Sequence, residues 1–165
     1  MQQHSRQATL ERIITELGYS FDGPIRIGGD YVPVARDGTT AYVSGQVPRV
    51  GTTVVVTGRA GSQVDLAQAQ LAAKICAVRA LLLLRDALGS LDEIRRVLKV
   101  NVYTQCEPDF TQQSEVADAA SGLIKAVLGE AGLHARTSVG VMQLPKDATV
   151  ELDMVVSTRE AGDAR

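Results

Sequence analysis

The chain has 165 residues, of which 45% are hydrophobic and 22% charged, and its net charge is -2. That is the length and balance of one globular domain with a sizeable core. The acidic balance supplies no basic footprint for nucleic acid or anionic membrane, and two phenylalanines, four tyrosines and no tryptophan leave few platforms for stacking RNA bases. The leucine run at residues 81–84 is far too short to span a bilayer, and Arg79 and Arg85 flank it. No secretory pattern opens the chain, and two cysteines, Cys76 and Cys106, suit a reducing cytoplasm better than a disulfide framework. His4 and His134 stand outside any ligand-spacing motif, so no metal is expected.

Residues 7–17 read as a short amphipathic helix. Leu10, Ile13, Ile14 and Leu17 recur at helical spacing, and Gly18 follows as a stop. Residues 21–30 are loop-like. Residues 31–35 form a short extended run in which Pro33 favours an edge position. Asp37-Gly38 signals a hairpin turn, and residues 39–47 then read as a strand broken by Gly45, which suggests a bulge or a close backbone approach. Residues 52–57 are a further β-branched run. Asp65 opens the first long helix, with Gln68 at the capping-box offset and Gly89 past its end. Ala69, Ala73, Ala77 and Ala80 make a small-residue stripe that lets this helix lie close on a sheet.

Ser90 and Glu93 repeat the capping pattern for a short helix. Residues 97–104 alternate as a strand, and residues 111–128 form a second long helix with Val116, Ala120, Leu123, Ile124 and Val127 on its apolar side. Residues 134–156 read as a β-hairpin around the turn signal Leu144-Pro145-Lys146-Asp147. Alternation puts Arg136, Ser138 and Gly140 on one face of the first strand, and Glu151 and Asp153 on one face of the second. A guanidinium and a carboxylate that converge across such a hairpin could bind a substrate carboxylate and handle a proton. The same residues fit a surface ion pair that contributes little.

The order of elements implies a single α+β domain over residues 1–165. It has a helical extension over residues 1–20, a frayed polar tail over residues 158–165, and one sheet with helices on one face. Apolar residues on both alternations, such as Val139, Val141, Val155 and Val156, imply that a homo-oligomer covers the other face.

The blocks YVSGQVP at residues 42–48, LKVNVYT followed by PDF, and HARTSVGVMQLPKDATVELDMVV together resemble the Rid, or YjgF-like, family. These are reactive-intermediate (enamine/imine) deaminases with the chorismate-mutase-like fold. The likeness spans residues 31–156, and the pattern SGQ…ARxxVGV…LPxxAxVEL is specific. The N-terminal helix and the insertion after the SGQ strand resemble a longer branch, whose members bear endoribonuclease L-PSP-like or chorismate-mutase-like labels.

The resemblance implies a mixed sheet with two long helices on one face, and a homotrimer with a ligand cleft at each subunit interface. It implies that Arg136 grips a substrate carboxylate and Glu151 positions water. Ser44 and Gly45 would add backbone contacts and Tyr31 would line the cleft. Asp118 stands where the family often has asparagine, and Ser138 where the short branch often has cysteine. The implied reaction hydrolyses a small 2-imino or enamine carboxylic acid to the 2-keto acid and ammonia, with no cofactor. A non-catalytic binder or sensor would share the same cleft. RNA cleavage, historically attributed to the family, fits the acidic composition poorly.

Overall fold

The computed structural model describes residues 5–159. The first helix, α1 (Arg6–Leu17), is capped by the Ser5 side chain and ends at Gly18 in the left-handed region. It is fastened to the domain by fully buried Leu10, and by Arg6, whose Nη1 donates to the carbonyls of Leu91 and Ile94 at 2.8 Å each. Strands β1 (Val34–Asp37) and β2 (Thr40–Gln46) form the hairpin that Asp37-Gly38 signals, and β1 is an edge strand as Pro33 suggests. The expected strand at residues 52–57 is mostly absent. Only β4 (Thr53–Val54) forms, paired with β3 (Arg49–Val50) in a two-residue ladder separate from the main sheet.

Helix α2 (Leu66–Leu88) carries the anticipated capping box, with Asp65 and Gln68 satisfying one another's backbone N–H groups at 2.8 and 3.1 Å. Its alanine stripe is fully buried, which brings the helix axis close to the sheet. After a 3-10 turn at Leu91–Glu93, the longest strand, β5 (Ile94–Gln105), runs through the core. Helix α3 (Gln113–Leu128) and a second 3-10 turn lead to β6 (Ala135–Val141), and β7 (Val150–Thr158) follows. Thr158, placed in the tail on sequence grounds, is a buried residue of β7, and Arg159 is tied by its backbone N–H to the Glu93 carbonyl at 3.0 Å. The rest of the anticipated tail lies outside the described residues.

The main sheet is mixed, in the order β1-β2-β7-β5-β6. Here the hairpin expectation for residues 134–156 is corrected. Strands β6 and β7 do not pair. Strand β5 lies between them, parallel to β6 and antiparallel to β7. The crossover through α3 delivers β6 to one edge of β5 in parallel, and the chain then steps over β5 to reach its other edge. Residues 145–147 make that step, with Lys146 and Asp147 both at positive φ (59° and 57°).

Helices α2 and α3 cover one sheet face, over Val43, Val100, Val102, Leu152 and Met154. The other face is partly open. It carries Tyr42 and Val139, about half exposed, around a polar cluster in which Asp153 accepts from Asn101 Nδ2 at 2.8 Å and from the Tyr103 hydroxyl at 3.1 Å. No helix among the described residues is long and apolar enough to cross a membrane.

Candidate functional site

Strand β7 sends Glu151 to the open side of the sheet, opposite the buried Val150 and Leu152. There it rests against the backbone of β2 where that strand bulges, between Val43 and Gln46 in its pairing with β7. Gly45 makes this possible. A methyl group at Gly45 would lie 2.9 Å from the Glu151 carboxyl carbon and nearer still to Oε1. The glycine expected to permit a bulge or a close approach therefore does both, and what approaches is Glu151.

Among the described residues, the Glu151 carboxylate accepts no hydrogen bond and forms no ion pair. Burial, and secondarily the like charge of Asp153, hold its pKa above the ordinary glutamate value. It opens into a cleft of about 470 Å³ that Tyr31, Ser44, Gly45, Gln46 and Lys146 also line. Half-exposed Tyr31 sits in a loop rather than in a strand.

Arg136 belongs to a second cleft, of about 600 Å³, between β6 and α3, lined also by Ser114, Asp118, Ser121, His134 and Ser138. Its register opposite buried Val100 aims it to the helix side of the sheet. Nη1 donates to Asp118 Oδ1 at 2.7 Å and to Ser121 Oγ at 3.1 Å, while Nη2 reaches the Ser114 carbonyl only at 3.5 Å. Ser121 continues the chain to His134 Nε2 at 3.0 Å, and His134 Nδ1 lies 2.6 Å from the Gly132 carbonyl. A carbonyl only accepts, so Nδ1 carries the proton. In the neutral ring Nε2 then accepts from Ser121, leaving the Ser121 oxygen to accept from Arg136. One edge of the guanidinium is thus fixed and the other is nearly free. Ser138 Oγ lies 3.4 Å from Ser114 Oγ.

The seven anticipated residues therefore fall into two groups. Tyr31, Ser44, Gly45 and Glu151 meet in the first cleft, and Arg136, Asp118 and Ser138 in the second. Within one chain Arg136 and Glu151 do not converge. They stand on opposite sheet faces with β5 between their strands, a lateral offset of about 10 Å. The expected convergence is corrected because it assumed that β6 and β7 were neighbours.

Sequence reasoning missed Arg79. It is 3% exposed in α2 and lines the Glu151 cleft. Its guanidinium donates to Gln46 Oε1 at 3.2 Å, to the Arg49 carbonyl at 2.9 Å and to the Arg26 carbonyl at 2.8 Å, clamping three segments together. The signal was an arginine inside the apolar run ICAVRALLLL. The two cysteines are minor actors. Burial pushes the Cys76 thiol pKa up, and Cys106 receives a weak contact from Gln113 Nε2 at 3.6 Å in a third cleft.

Residues 24–158 match the profile of the endoribonuclease L-PSP family. The chain belongs to that family, the YjgF/Rid family its motifs resemble. It is similar to protein TCP17 of Trypanosoma cruzi, with 40% identity across 87% of this chain and 90% of that one. It is more distantly similar to a 2-iminobutanoate/2-iminopropanoate deaminase of Dermatophagoides farinae, with 29% identity across 78% and 85%. Among solved structures, the Atu1372 protein of Agrobacterium tumefaciens superposes with a TM-score of 0.82 and 42% identity, over 93% of this chain and 94% of the other.

Proposed function

We infer that the protein is an imine/enamine deaminase that hydrolyses a small 2-imino carboxylic acid, and that its working site forms between two copies of the chain in a homotrimer. The observation that carries this reading is the separation of the two clefts. Arg136 and Glu151 can serve one substrate only if Arg136 of one copy faces the Glu151 cleft of another. The partly open sheet face, with Tyr42 and Val139, is a surface such packing would cover. The deaminase name of one relative supports the chemistry.

In this reading the free edge of Arg136 holds the substrate carboxylate. Glu151, unpartnered and with a raised pKa, takes a proton from water as the oxygen attacks the imine carbon. The nitrogen gains that proton to give the carbinolamine. Glu151 then carries the proton of the new hydroxyl to the nitrogen as the C–N bond breaks and the C=O bond forms, and 2-keto acid and ammonia leave. Water enters and ammonia departs with no redox change. Imines hydrolyse readily, so positioning supplies much of the acceleration.

Complementation tests the reading. Arg136→Ala and Glu151→Gln should each lose ammonia release from freshly generated 2-iminobutanoate. Refolded together in equal amounts, they should recover about a quarter of the parent rate, because random assembly leaves that share of interfaces with both residues intact. Recovery no greater than the two separate rates, or a monomer mass by light scattering at micromolar concentration, would reject the shared site.

A further inference from the structure

We propose that the Glu151 cleft recognises a second anionic group, so that the preferred ligand is a dianion, an acidic keto or imino acid carrying another carboxylate or a phosphate. The inference rests on the deaminase reading for the first carboxylate and goes beyond it for the second. Its ground is the charge inside the cleft. Arg26, Arg49, Arg79 and Lys146 line it, against Glu151 as the one carboxylate among its described lining residues. None of these four cations forms an ion pair among the described residues.

Among the described residues, Arg79 is engaged with neutral acceptors only. Arg49 is the telling member. Its Nε is buried without a hydrogen-bond partner, and its guanidinium makes no hydrogen bond among the described residues. Its backbone is held in place, since its carbonyl accepts from Arg79 and its N–H donates to the Val47 carbonyl at 2.7 Å. Arg49 as a whole is only half-buried, but a guanidinium N–H buried without an acceptor is uncommon in a folded chain. Here the Arg79 guanidinium stands near it: burial above all lowers the pKa of Arg79, the Cys76 thiol opposes that, and the Arg49 charge adds to the lowering. An anion in the cleft would satisfy the Arg49 fork and relieve that repulsion. Lys146, exposed and with φ of 59°, adds a further cation to the lining. Gly28 borders the Arg49 fork, where a side-chain carbon would lie 3.7 Å from Nη2, so the fork is approachable from that side.

The test is calorimetric. The parent protein is titrated with 2-oxobutanoate, oxaloacetate, 2-oxoglutarate, 2-oxoadipate and the phosphonate analogue of 2-oxoglutarate. At least one dianion should bind about tenfold or more tighter than 2-oxobutanoate, as one charge-assisted fork adds. The series reads the spacing, and the phosphonate separates a phosphate preference from a carboxylate one. In Arg49→Gln, with its fold checked by circular dichroism, the ratio of dianion to monoanion affinity should collapse toward one. Should that variant not fold, the parent series decides alone. Equal affinity for all ligands overturns the proposal, as does a ratio unchanged in Arg49→Gln, or a preference for single-stranded RNA over every dianion. Failure of the underlying reading looks different: Arg136→Ala would then leave 2-oxobutanoate binding untouched whatever Arg49 does.

Discussion

Replacing Asp118 with asparagine tests whether Arg136 is the carboxylate grip, because the two residues share one guanidinium edge. Asp118 accepts from Nη1 at 2.7 Å, which directs an incoming carboxylate to the opposite edge. At a separation of about 5 Å, the two negative charges would repel by about 1 kcal/mol in water and about 3 kcal/mol at an effective dielectric of 20. The Asp118 side chain is 68% exposed, so the aqueous end of that range applies. Asparagine keeps an acceptor for Nη1, and the arginine stays oriented. Asp118→Asn should therefore tighten 2-oxobutanoate binding about fivefold, by roughly 1 kcal/mol. Calorimetry at low and physiological salt is the assay, and screening should shrink the gain as salt rises. Affinity that is unchanged or weaker in a correctly folded variant would refute the reasoning. It would mean either that carboxylates bind elsewhere or that Asp118 contributes more by orienting Arg136 than it costs by repulsion.

Gly45→Ala places a methyl group against the Glu151 carboxyl, which must swing toward the cleft. Ammonia release should fall about a hundredfold, the usual worth of a displaced base, while denaturant unfolding registers a loss of only about 1 kcal/mol. The raised pKa of Glu151 gives a signed pH effect. Its ionisation opposes folding, so its contribution is most favourable below the ordinary value of 4.5 and is lost as pH rises through the higher native value. Glu151→Gln should accordingly be more stable than the parent at neutral pH, with the gap closing near pH 4 in parallel melts. Asp153→Asn removes one of the two causes of that shift, so the acid limb of the turnover profile should move to lower pH. A limb that stays in place would remove Glu151 as the titrating base.

Local chemistry made the helices legible. Asp65 with Gln68, the glycine stops at Gly18 and Gly89, and the alanine stripe all depend on neighbours within a few residues. Strand parity was legible for the same reason, and alternation placed Arg136 with Ser138, and Glu151 with Asp153, correctly on their own strands. The pairing partner was not legible. Proline and aspartate at residues 145–147 announce a turn, and nothing in a turn announces that a strand forty residues upstream will lie between its arms. The error carried through to the site, because two correct parities joined by a wrong pairing bring together residues that the sheet holds apart. Arg79 and Arg49 were hidden differently. Both owe their meaning to segments distant in sequence that close over them.

Strand β7 is the last element described, and it occupies the middle of the sheet, flanked by β2 and β5. During synthesis, the β1–β2 hairpin and the β5–α3–β6 unit emerge first and have no ladder joining them. Until residue 158 is made, the apolar undersides of α2 and α3 lack the Val150, Leu152, Met154 and Val156 row that closes the core. In chain order β7 follows both halves of the sheet, and its pairing with β2 and β5 both joins them and completes the Glu151 cleft.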